Sequence, residues 1–517
     1  MNNTTDNIHV DVAVIGCGTT GLALTRLLAM EGLRVAAIDR TRVPYAFPRA
    51  THLDDETMRA FQTLGIAQLE SRFSTSGVYR FYDPRWRPVM EFGFNNGLTD
   101  QGWQSDYMFH QPDVESALRG YAHSHSDTTH FFGWDAIELN KTADGVQLRL
   151  REKATGDERE VTASFLIGAD GANSFVRNNM TYTQVNYEAT HRSLIVDIHP
   201  FIDNDELARR DTSIPGGIAG RDCFVQGGIR NPLTFIPIAE PLLRFEELLR
   251  PDDDTAAFGR LDHVYELLSQ WLQPHEYQIL RADVYEWDAV VAEPWREGPL
   301  FLAGDAAHEM PPHLGQGMAS GIRDSMNLAW KLGRVVRGES PQELLDTYES
   351  ERKPHMSEFV ALAAQMANEV ESMQPQGSDD NTDVPVTERE TLRPQIGLGI
   401  RVDDELAGRL SAQPLLANGQ RIDDIVGYRF AVLATPECTA QISAQTKASL
   451  DCLGAQIITA DSEDSRNWLK SLNAGAVIVR PDRYLFGTAA AALELDALVV
   501  RLEALLTAKV MAAAPNA

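Results

Sequence analysis

The sequence predicts an α/β fold that begins with a strand–helix–strand unit. The apolar run Val10–Ile15 is followed by a glycine turn, an amphipathic stretch Leu22–Met30 and a second apolar run, Arg34–Ile38. Short β-rich runs on either side of a helical pattern are typical of a parallel sheet with a crossover helix. A similar run, Leu300–Ala303, precedes another glycine-rich turn and a long helix to about Arg337. We therefore expect one Rossmann-type sheet built from both regions.

The chain has 517 residues, more than the roughly 100–200 of an ordinary domain. The Rossmann-type domain is expected in two parts, 1–183 and 291–368, with a mostly β substrate domain inserted at 184–290. Residues 369–395 are polar and lack periodicity, which indicates a linker, and 396–517 form a small α/β domain. Other predicted elements are a hairpin turning at Asp144-Gly145, strands at Leu194–Ile198, Leu233–Ile238, Phe430–Leu433, Gln456–Thr459 and Ala476–Val479, and helices near Leu261–Leu272 and Pro341–Met366.

The composition excludes several classes of function. The formal net charge is −28, which argues against a nucleic-acid partner, because polyanions are bound through Lys and Arg. No apolar run approaches the roughly 20 residues that span a bilayer, and the first ten residues lack the pattern of a signal peptide. The cysteines show no CxxC or metal-ligand spacing, so we expect no metal site and a reducing, cytoplasmic compartment. They are Cys17, Cys223, Cys438 and Cys452.

The first glycine turn, Gly16-Cys-Gly18-Thr-Thr-Gly21, follows a strand and opens a helix. Gly16 allows the tight turn, Gly18 lets the backbone approach a pyrophosphate, and Gly21 allows close packing of helix on strand. The helix N-terminus offers free N–H groups to the phosphates. Asp39 ends the next strand, where a carboxylate accepts ribose hydroxyls, and Arg40 is placed beside it at the cofactor. The pattern predicts a dinucleotide-type cofactor.

The second glycine-rich region combines a carboxylate with a helix start. Asp305 follows the strand Leu300–Ala303 and suits a sugar-alcohol hydroxyl at the carboxyl edge of the sheet. Further on, Gly315, Gly317 and Met318 lead into the long helix, whose N-terminus favours negative charge. We expect these residues to contact the same cofactor.

These motifs resemble those of the class A flavoprotein aromatic hydroxylases, the p-hydroxybenzoate hydroxylase-like group. The dinucleotide fingerprint, a DG motif that begins at Asp170 and the GD motif Gly304-Asp305 occur in the family's order. Residues 302–332 and 348–352 are most similar to 3-(3-hydroxyphenyl)propionate hydroxylases. The segment Phe47–Ala50 also matches that group, and the resemblance gives Arg49 a contact with FAD. The final segment resembles the thioredoxin-like domain of phenol hydroxylases without its CxxC, which implies a structural or dimerising role, as in a homodimer.

The resemblance implies an FAD-dependent monooxygenase. FAD would be bound non-covalently, NADH or NADPH would visit as co-substrate, and O₂ would form a flavin C4a-hydroperoxide that a phenolic substrate attacks beside its hydroxyl. The carbonyl of Pro312 would lie near that hydroxyl. Asp170 would lie near FAD and the nicotinamide cofactor.

The identity of the catalytic base is open between histidines, since imidazole titrates near neutral pH. His52 and His313 are candidates for lining the substrate cavity, and His308 is expected to hold its loop. Two other functions stay open. One is a tailoring oxygenase acting on a polycyclic aromatic polyketide, and the other is a non-catalytic binder resembling GDP-dissociation inhibitors, against which the intact Asp170 and Asp305 motifs speak.

Overall fold

The computed structural model describes residues 8–75, 79–83, 86–92, 97–123, 127–203, 206–207, 223–226, 231–372, 387–389 and 392–508. Most of the linker predicted at 369–395 lies outside these residues. Within them, no helix is both long and apolar enough to cross a membrane. The same residues contain no group of three or more His, Cys, Asp or Glu side chains placed to hold a metal ion.

The helices of the described residues are α1 Thr19–Met30, α2 Asp55–Leu64, α3 Gln111–His123, α4 Thr255–Phe258, α5 Leu261–Leu268, α6 Gly317–Val336, α7 Asp346–Ser372, α8 Ile422–Val426, α9 Pro436–Gln441, α10 Ala444–Cys452, α11 Glu463–Ser471 and α12 Ala492–Thr507. Short 3₁₀ turns lie at Ala67–Arg72, Arg177–Asn179, Gly304–Ala306, Pro312–Leu314 and Gln342–Leu345.

The strands before residue 200 are β1 Ile8–Ile15, β2 Val35–Asp39, β3 His52–Asp54, β4 Ser74–Thr75, β5 Tyr79–Tyr82, β6 Pro88–Phe92, β7 Asp106–Met108, β8 Thr128–Phe132, β9 Trp134–Thr142, β10 Gly145–Glu152, β11 Glu158–Gly168, β12 Thr183–Asn186 and β13 His191–Pro200. Those that follow are β14 Cys223–Gln226, β15 Leu233–Pro237, β16 Leu243–Leu249, β17 Tyr277–Trp287, β18 Val290–Glu293, β19 Arg296–Glu297, β20 Leu300–Leu302, β21 His308–Glu309, β22 Thr387–Arg389, β23 Ala431–Ala434, β24 Gln456–Thr459, β25 Ala476–Val479 and β26 Leu485–Ala489.

A parallel sheet positions the cofactor motifs, as predicted. Its strands lie in the order β20-β11-β1-β2-β8, all parallel, so β20 from the second region joins the first. The carboxyl ends of parallel strands meet at one edge of a sheet. That edge carries Gly16 after β1, Asp39 at the end of β2, Asp170 after β11 and Asp305 after β20. The hairpin predicted at Asp144-Gly145 is also confirmed, between β9 and β10.

A second sheet, β17-β13-β16-β15-β14-β5-β6-β22, contains the β-rich region. The sheet also includes strands from outside residues 184–290, because β5 pairs parallel with β14 and β22 pairs with β6. The pairing satisfies a sheet edge that would otherwise expose unpaired backbone groups. One face packs against α5 as an apolar core that includes Phe235 and Phe245. The other face packs against α7 through Phe81, Leu248 and Trp287.

Two long helices, α6 and α7, follow the second glycine-rich region. The helix predicted to end near Arg337 is confirmed as α6. The helix predicted at Pro341–Met366 begins later and ends later, since α7 runs through Pro354 to Ser372. Its last turns bury Ala367 and Val370 against the second sheet, and this packing extends the helix into the predicted linker.

The C-terminal residues form a separate four-stranded sheet in the order β24-β23-β25-β26. β23 is parallel to β24 and antiparallel to β25, which forms a hairpin with β26. The three strands predicted here are confirmed to within a residue. This sheet has its own apolar core, which includes Val426, Leu433 and Val477.

Glu351 of α7 joins the C-terminal sheet to the helices in the core. Its carboxylate accepts hydrogen bonds from Arg480 at 2.7 and 2.8 Å, from Lys331 at 2.7 Å, from Asn327 at 2.8 Å and from the backbone of Ile400 at 2.6 Å. Glu351, Lys331 and Arg480 have fully buried side chains. These donors hold the pKa of Glu351 well below its usual range although burial alone would raise it.

We predict that Glu351→Gln lowers the free energy of unfolding by about 3–5 kcal/mol at pH 7, because two buried cations lose their shared carboxylate. Urea unfolding followed by circular dichroism measures the change. Glu405→Gln is the matched control, since Glu405 pairs with Arg409 on the surface with a side chain that is 89% exposed. The control should change stability by less than about 0.5 kcal/mol. Equal effects of the two substitutions would contradict the account.

Candidate active site

The first glycine turn has the geometry that the fingerprint predicts. Gly16 has φ +96°, a conformation that favours glycine, and a Cβ there would overlap the carbonyl of Ala169. The turn is tied to the next strand, since Cys17 N donates to Asp39 Oδ2 at 2.7 Å. Asp39 Oδ1 accepts from the backbone and hydroxyl of Thr41 at 2.6 and 2.5 Å. The carboxylate is therefore fixed at the sheet edge, beside the turn.

An open cradle lies beside Gly18. A Cβ at Gly18 would lie 3.3 Å from Nη2 of Arg49, whose side chain is 60% exposed and 3.6 Å from Glu115. The Arg49 backbone is held rigidly, because its N–H donates to Gln111 at 3.1 Å and its carbonyl accepts from Arg244 at 2.9 Å. A guanidinium above a bare glycine backbone at a helix N-terminus suits a pyrophosphate. The residues present therefore fit a dinucleotide cofactor such as FAD.

Arg177 joins the DG and GD motifs. It donates from Nη1 to the carbonyl of Ala306 at 2.9 Å and from Nη2 to the carbonyl of Ala172. The Asp170 side chain closes the DG turn, since Oδ2 accepts from Phe175 N at 2.7 Å, while Oδ1 is buried without a partner. Burial raises the pKa of Asp170. Hydrogen bonds from Arg177 thus hold the two motifs together at the carboxyl edge of the parallel sheet.

Asp305 is exposed in the turn that follows β20. Glu309 lies nearby, 3.9 Å from Arg177. Burial raises the pKa of Glu309 to about 7, and the charge of Asp305 adds to the effect. The sequence did not indicate Glu309, because its raised pKa depends on neighbours that only the fold brings together.

His308 holds the turn after β20. Its Nε2 lies 2.6 Å from Asp324 Oδ2, which also accepts from Gly304 N at 3.0 Å. The other carboxylate oxygen accepts from Arg352 at 2.9 Å, and all these side chains are fully buried. The network anchors the Gly304-Asp305 turn on α6 and α7. His308 is closed off from a substrate.

His52 lies behind the loop that precedes α6. Its Nε2 is 2.7 Å from Asp106, and its Nδ1 is 3.5 Å from the carbonyl of Gly315. Gly315 has φ +63°, and a Cβ there would collide with the imidazole, so only glycine fits. Burial alone would lower the pKa of His52, but the hydrogen bond and charge of Asp106, with the charge of Asp54, raise it. Both ring nitrogens face protein groups.

His313 lies on the opposite side of that loop and faces the second sheet. Its ring packs edge-on to Trp287 with centroids 5.8 Å apart. Nε2 of His313 and Nε1 of Trp287 are both buried without hydrogen-bond partners. Burial lowers the pKa of His313 to about 4, with the charge of His191 adding to the effect, so the imidazole is neutral at pH 7. His191 itself packs on Trp287 at 4.8 Å.

The parallel sheet places Gly16, Asp39, Asp170 and Asp305 at one edge, and Arg40 directly follows Asp39. Arg40 is exposed with no partner among the contacts of the described residues. Pro312 is half-buried in the loop, and Met318 packs against the main core. Gly21 allows close approach to the backbone of Gly16, whereas a Cβ at Gly317 would meet only an ordinary contact with Met310 at 3.8 Å. Sequence reasoning missed Trp287, His191, Asp106 and Asp324, which lie far from the motifs along the chain.

We predict that His313→Gln flattens the acid limb of the stability profile. The unfolded chain binds the proton at the ordinary imidazole pKa of 6.5 and the folded chain only near 4. The contribution of His313 is thus complete above pH 6.5 and is lost as pH falls toward 4. Between pH 7 and pH 5, the free energy of unfolding should fall less in His313→Gln than in the unmodified chain. His275→Gln, at an exposed position, should leave the slope unchanged. Identical slopes in all three proteins would mean that His313 is not buried in its neutral form.

Comparison with known proteins agrees with this geometry. A family model described as the FAD binding domain matches residues 9–363, and a model of the HcaD C-terminal domain matches residues 408–505. A 3-(3-hydroxy-phenyl)propionate/3-hydroxycinnamic acid hydroxylase of Mycolicibacterium gilvum is 33% identical over 361 residues, which cover 69% of this chain and 60% of that relative. A probable NADH-specific resorcinol 4-hydroxylase of Rhodococcus jostii is 30% identical over 527 residues, which cover 96% of this chain and 95% of the relative.

A solved structure supports the fold over nearly the whole chain. The crystal structure of a ternary complex of aklavinone-11 hydroxylase with FAD and aklavinone has a TM-score of 0.78 at 23% identity, and covers 97% of this chain and 99% of that one. The match extends across the parallel sheet, the second sheet and the C-terminal sheet. The chain belongs to the FAD-binding domain family of flavoprotein aromatic hydroxylases.

Proposed function

We propose that this protein uses FAD, NADH or NADPH and O₂ to hydroxylate a phenolic ring beside its existing hydroxyl. One observation carries the proposal: Nε2 of His313 and Nε1 of Trp287 are both buried without partners, in rings whose centroids lie 5.8 Å apart. Buried polar atoms are normally hydrogen-bonded, so such a pair suits a polar group supplied by a ligand. Trp287 lies in a buried cluster with Phe81, against which Tyr285 and Leu314 pack, so an apolar and aromatic environment would surround a phenyl ring bound there.

The chain's own residues would hold the cofactor at the edge of the parallel sheet. Asp39 would accept ribose hydroxyls, Arg49 and the backbone at Gly18 would bind the pyrophosphate, and Asp305 would accept a ribityl hydroxyl. When bound, FAD would supply the redox chemistry of a hydroxylation in which NADH or NADPH provides two electrons, one oxygen atom of O₂ enters the ring and the other leaves as water. The fingerprint at Gly16–Gly21 is the one nucleotide motif in the sequence, which supports a transient visit by the nicotinamide cofactor.

The N-terminus of α6 would stabilise negative charge in the cleft. Its N-cap, Gln316, makes no side-chain capping hydrogen bond, so the first N–H groups of the helix are open to a ligand. A helix N-terminus favours an anion by electrostatics as well as by hydrogen bonding. Gly317 and Met318 begin this helix, and the carbonyl of Pro312 lies in the loop before it. The loop therefore combines an anion-favouring helix start with an acceptor for a substrate hydroxyl.

The two candidate histidines would have different tasks. His313 is neutral and its Nε2 has no hydrogen-bond partner, so it would accept a hydrogen bond from the phenol and orient the ring. Its low pKa makes it a weak base. His52 has a raised pKa but both its nitrogens face Asp106 and Gly315, so it would fix the loop and receive a proton only through a relay. A phenol that loses its proton gains electron density at its ortho and para carbons, where oxygen is captured.

The relatives narrow the substrate class without deciding it. Relatives at about 30% identity act, by their names, on hydroxyphenylpropionate or resorcinol, and both are phenols with a free ortho position. The likeness to aklavinone-11 hydroxylase concerns the fold. We therefore favour a monocyclic phenol over a polycyclic polyketide or a non-catalytic binding role.

We also propose the domain layout that the sequence predicts, with FAD-binding parts at 1–183 and 291–368 around a substrate domain. The C-terminal sheet would then be a thioredoxin-like domain at 396–517 without redox cysteines, in a protein that forms a homodimer. Its mixed sheet, with a parallel pair beside an antiparallel hairpin, supports this interpretation. Cys438 and Cys452 are both free and are not arranged as a CxxC pair.

We predict that His313→Phe keeps FAD bound but diverts reducing equivalents from product to H₂O₂. Phenylalanine retains the aromatic packing on Trp287 and removes the acceptor, so the ring loses its orientation. The ratio of hydroxylated product to NAD(P)H consumed should fall about tenfold or more. This loss is smaller than that expected on removing a general acid or base. The measurement uses a panel that includes resorcinol and 3-(3-hydroxyphenyl)propionate, with product identified by mass spectrometry.

The control is His275→Phe, at an exposed position, which should leave the ratio unchanged. An unchanged ratio in His313→Phe would remove His313 from the mechanism while leaving the hydroxylase function standing. Absence of phenol-stimulated NAD(P)H oxidation across the whole panel would contradict the function itself.

A further inference from the structure

The hairpin between β25 and β26 inserts the polar tip of the C-terminal sheet into the main body of the protein. Its tip, residues 480–484, carries Arg480, Asp482, Arg483 and Tyr484, all at most 3% exposed. Arg483 has φ +73°, a strained conformation for a residue with a side chain, and it is held by contacts with Asp423 and Thr63. Four polar side chains buried at one tip are costly unless each has a partner.

The Tyr484 hydroxyl connects two chains of hydrogen-bonded polar side chains, here called the first chain and the second chain. It donates to Glu56 Oε1 at 2.8 Å, and it lies 3.4 Å from His355 Nε2. His355 Nδ1 accepts from Arg352 at 2.8 Å, and burial lowers the pKa of His355 well below its usual value. The neutral ring therefore carries its proton on Nε2, which donates a hydrogen bond to the Tyr484 hydroxyl. The Tyr484 hydroxyl in turn donates a hydrogen bond to Glu56.

The first chain leads to the loop before α6. Glu56 Oε2 accepts from Arg323 Nε at 2.6 Å, and Arg323 Nη1 donates to Gln316 Oε1 at 2.8 Å. Arg323 also pairs with Asp54, which accepts from Gln316 Nε2 at 3.2 Å. Gln316 is the N-cap of α6 and follows Gly315. The position of this loop is thus set by charged groups that end at Tyr484.

The second chain leads to the turn after β20. From His355 it passes through Arg352 to Asp324, which binds the backbone of Gly304 and the ring of His308. Gly304 precedes Asp305, the carboxylate assigned to the ribityl chain of FAD. One hydroxyl of the C-terminal sheet therefore contacts both networks that hold the cofactor-facing loops.

We propose that Tyr484 is a positioning residue for FAD: it sets the relative placement of the Gly304-Asp305 turn and the loop 312–317 through Glu56 and His355. The C-terminal sheet then takes part in building the cofactor site, besides its own folding. The role concerns cofactor binding and holds whichever ring is hydroxylated, so its failure would be distinguishable from failure of the hydroxylase function.

The test compares Tyr484→Phe with Tyr428→Phe, which removes another buried hydroxyl at the same boundary. Tyr428 binds the backbone of α6, accepting from Trp330 N at 3.2 Å and donating to Met326 O, outside both chains. Each apoprotein is titrated with FAD by fluorescence quenching, and the visible spectrum of bound flavin is recorded. Tyr484→Phe should raise the FAD dissociation constant about tenfold, the change expected from one lost hydrogen bond to a charged group, and shift the flavin absorption bands. Tyr428→Phe should lower the melting temperature without either effect.

A double variant tests the path. If Tyr484 acts through Glu56, then adding Tyr484→Phe to Glu56→Gln should weaken FAD binding less than it does in the unmodified chain, since linked residues are not additive. If Tyr484→Phe fails to fold, Glu56→Gln alone tests the same hydrogen-bond network. It should also raise the FAD dissociation constant. Unchanged FAD affinity and spectrum in Tyr484→Phe, equal weakening in Tyr428→Phe, or full additivity in the double variant would each overturn the proposal.

Discussion

The burial of charged side chains beneath the cleft constrains the rest of this structure. Taking a charge out of water costs several kcal/mol, and the cost is recovered only when partners and hydrogen bonds are placed accurately. Here Glu351, Asp324 and Asp54 each collect cationic or polar donors from separate segments. A shift of α6 against α7 would break several of these pairs together. The helices are therefore fixed in register, and so are the loops that precede them.

This rigidity explains how short loops can serve a reaction that needs accurate placement. The turn at Gly304 and the loop at Gly315 both pack against the main apolar core, and each is also hydrogen-bonded to a buried polar network. In the proposed site, the second sheet would supply the opposite wall, where Trp287 contacts His313. Charged networks would hold one wall, and aromatic side chains would line the other. A phenol bound between them would be oriented on one side and excluded from water on the other, which favours hydroxylation over loss of the oxidant.

Local features were predictable from the sequence, and long-range ones were not. The fingerprint at Gly16, the strands of the parallel sheet and the start of α6 depend on spacing within about 20 residues, which a sequence displays directly. The pairing of β5 with β14 joins segments more than 100 residues apart, and no local pattern indicates it. His313 could be proposed from the sequence because it lies in the loop beside the second glycine-rich motif. Trp287, His191 and Tyr484 could not be proposed, because only the fold brings them near that loop. The burial of residues 480–484 against α6 and α7 is likewise a property of the fold. Helix α7 extends beyond its predicted end because its last turns pack on the second sheet. The sequence alone does not predict where that sheet lies relative to the helix.

The central claim is that the substrate ring binds between the loop 312–317 and Trp287, with FAD along the edge that carries Gly18, Arg49 and Asp305. A crystal structure of the FAD-loaded protein with a bound phenol tests it most directly. The account predicts the pyrophosphate against Gly18 and Arg49, the flavin ring beside the N-terminus of α6, and the phenol hydroxyl within hydrogen-bond distance of His313 Nε2. A phenol bound away from Trp287 and His313, or a flavin ring distant from the start of α6, would contradict it.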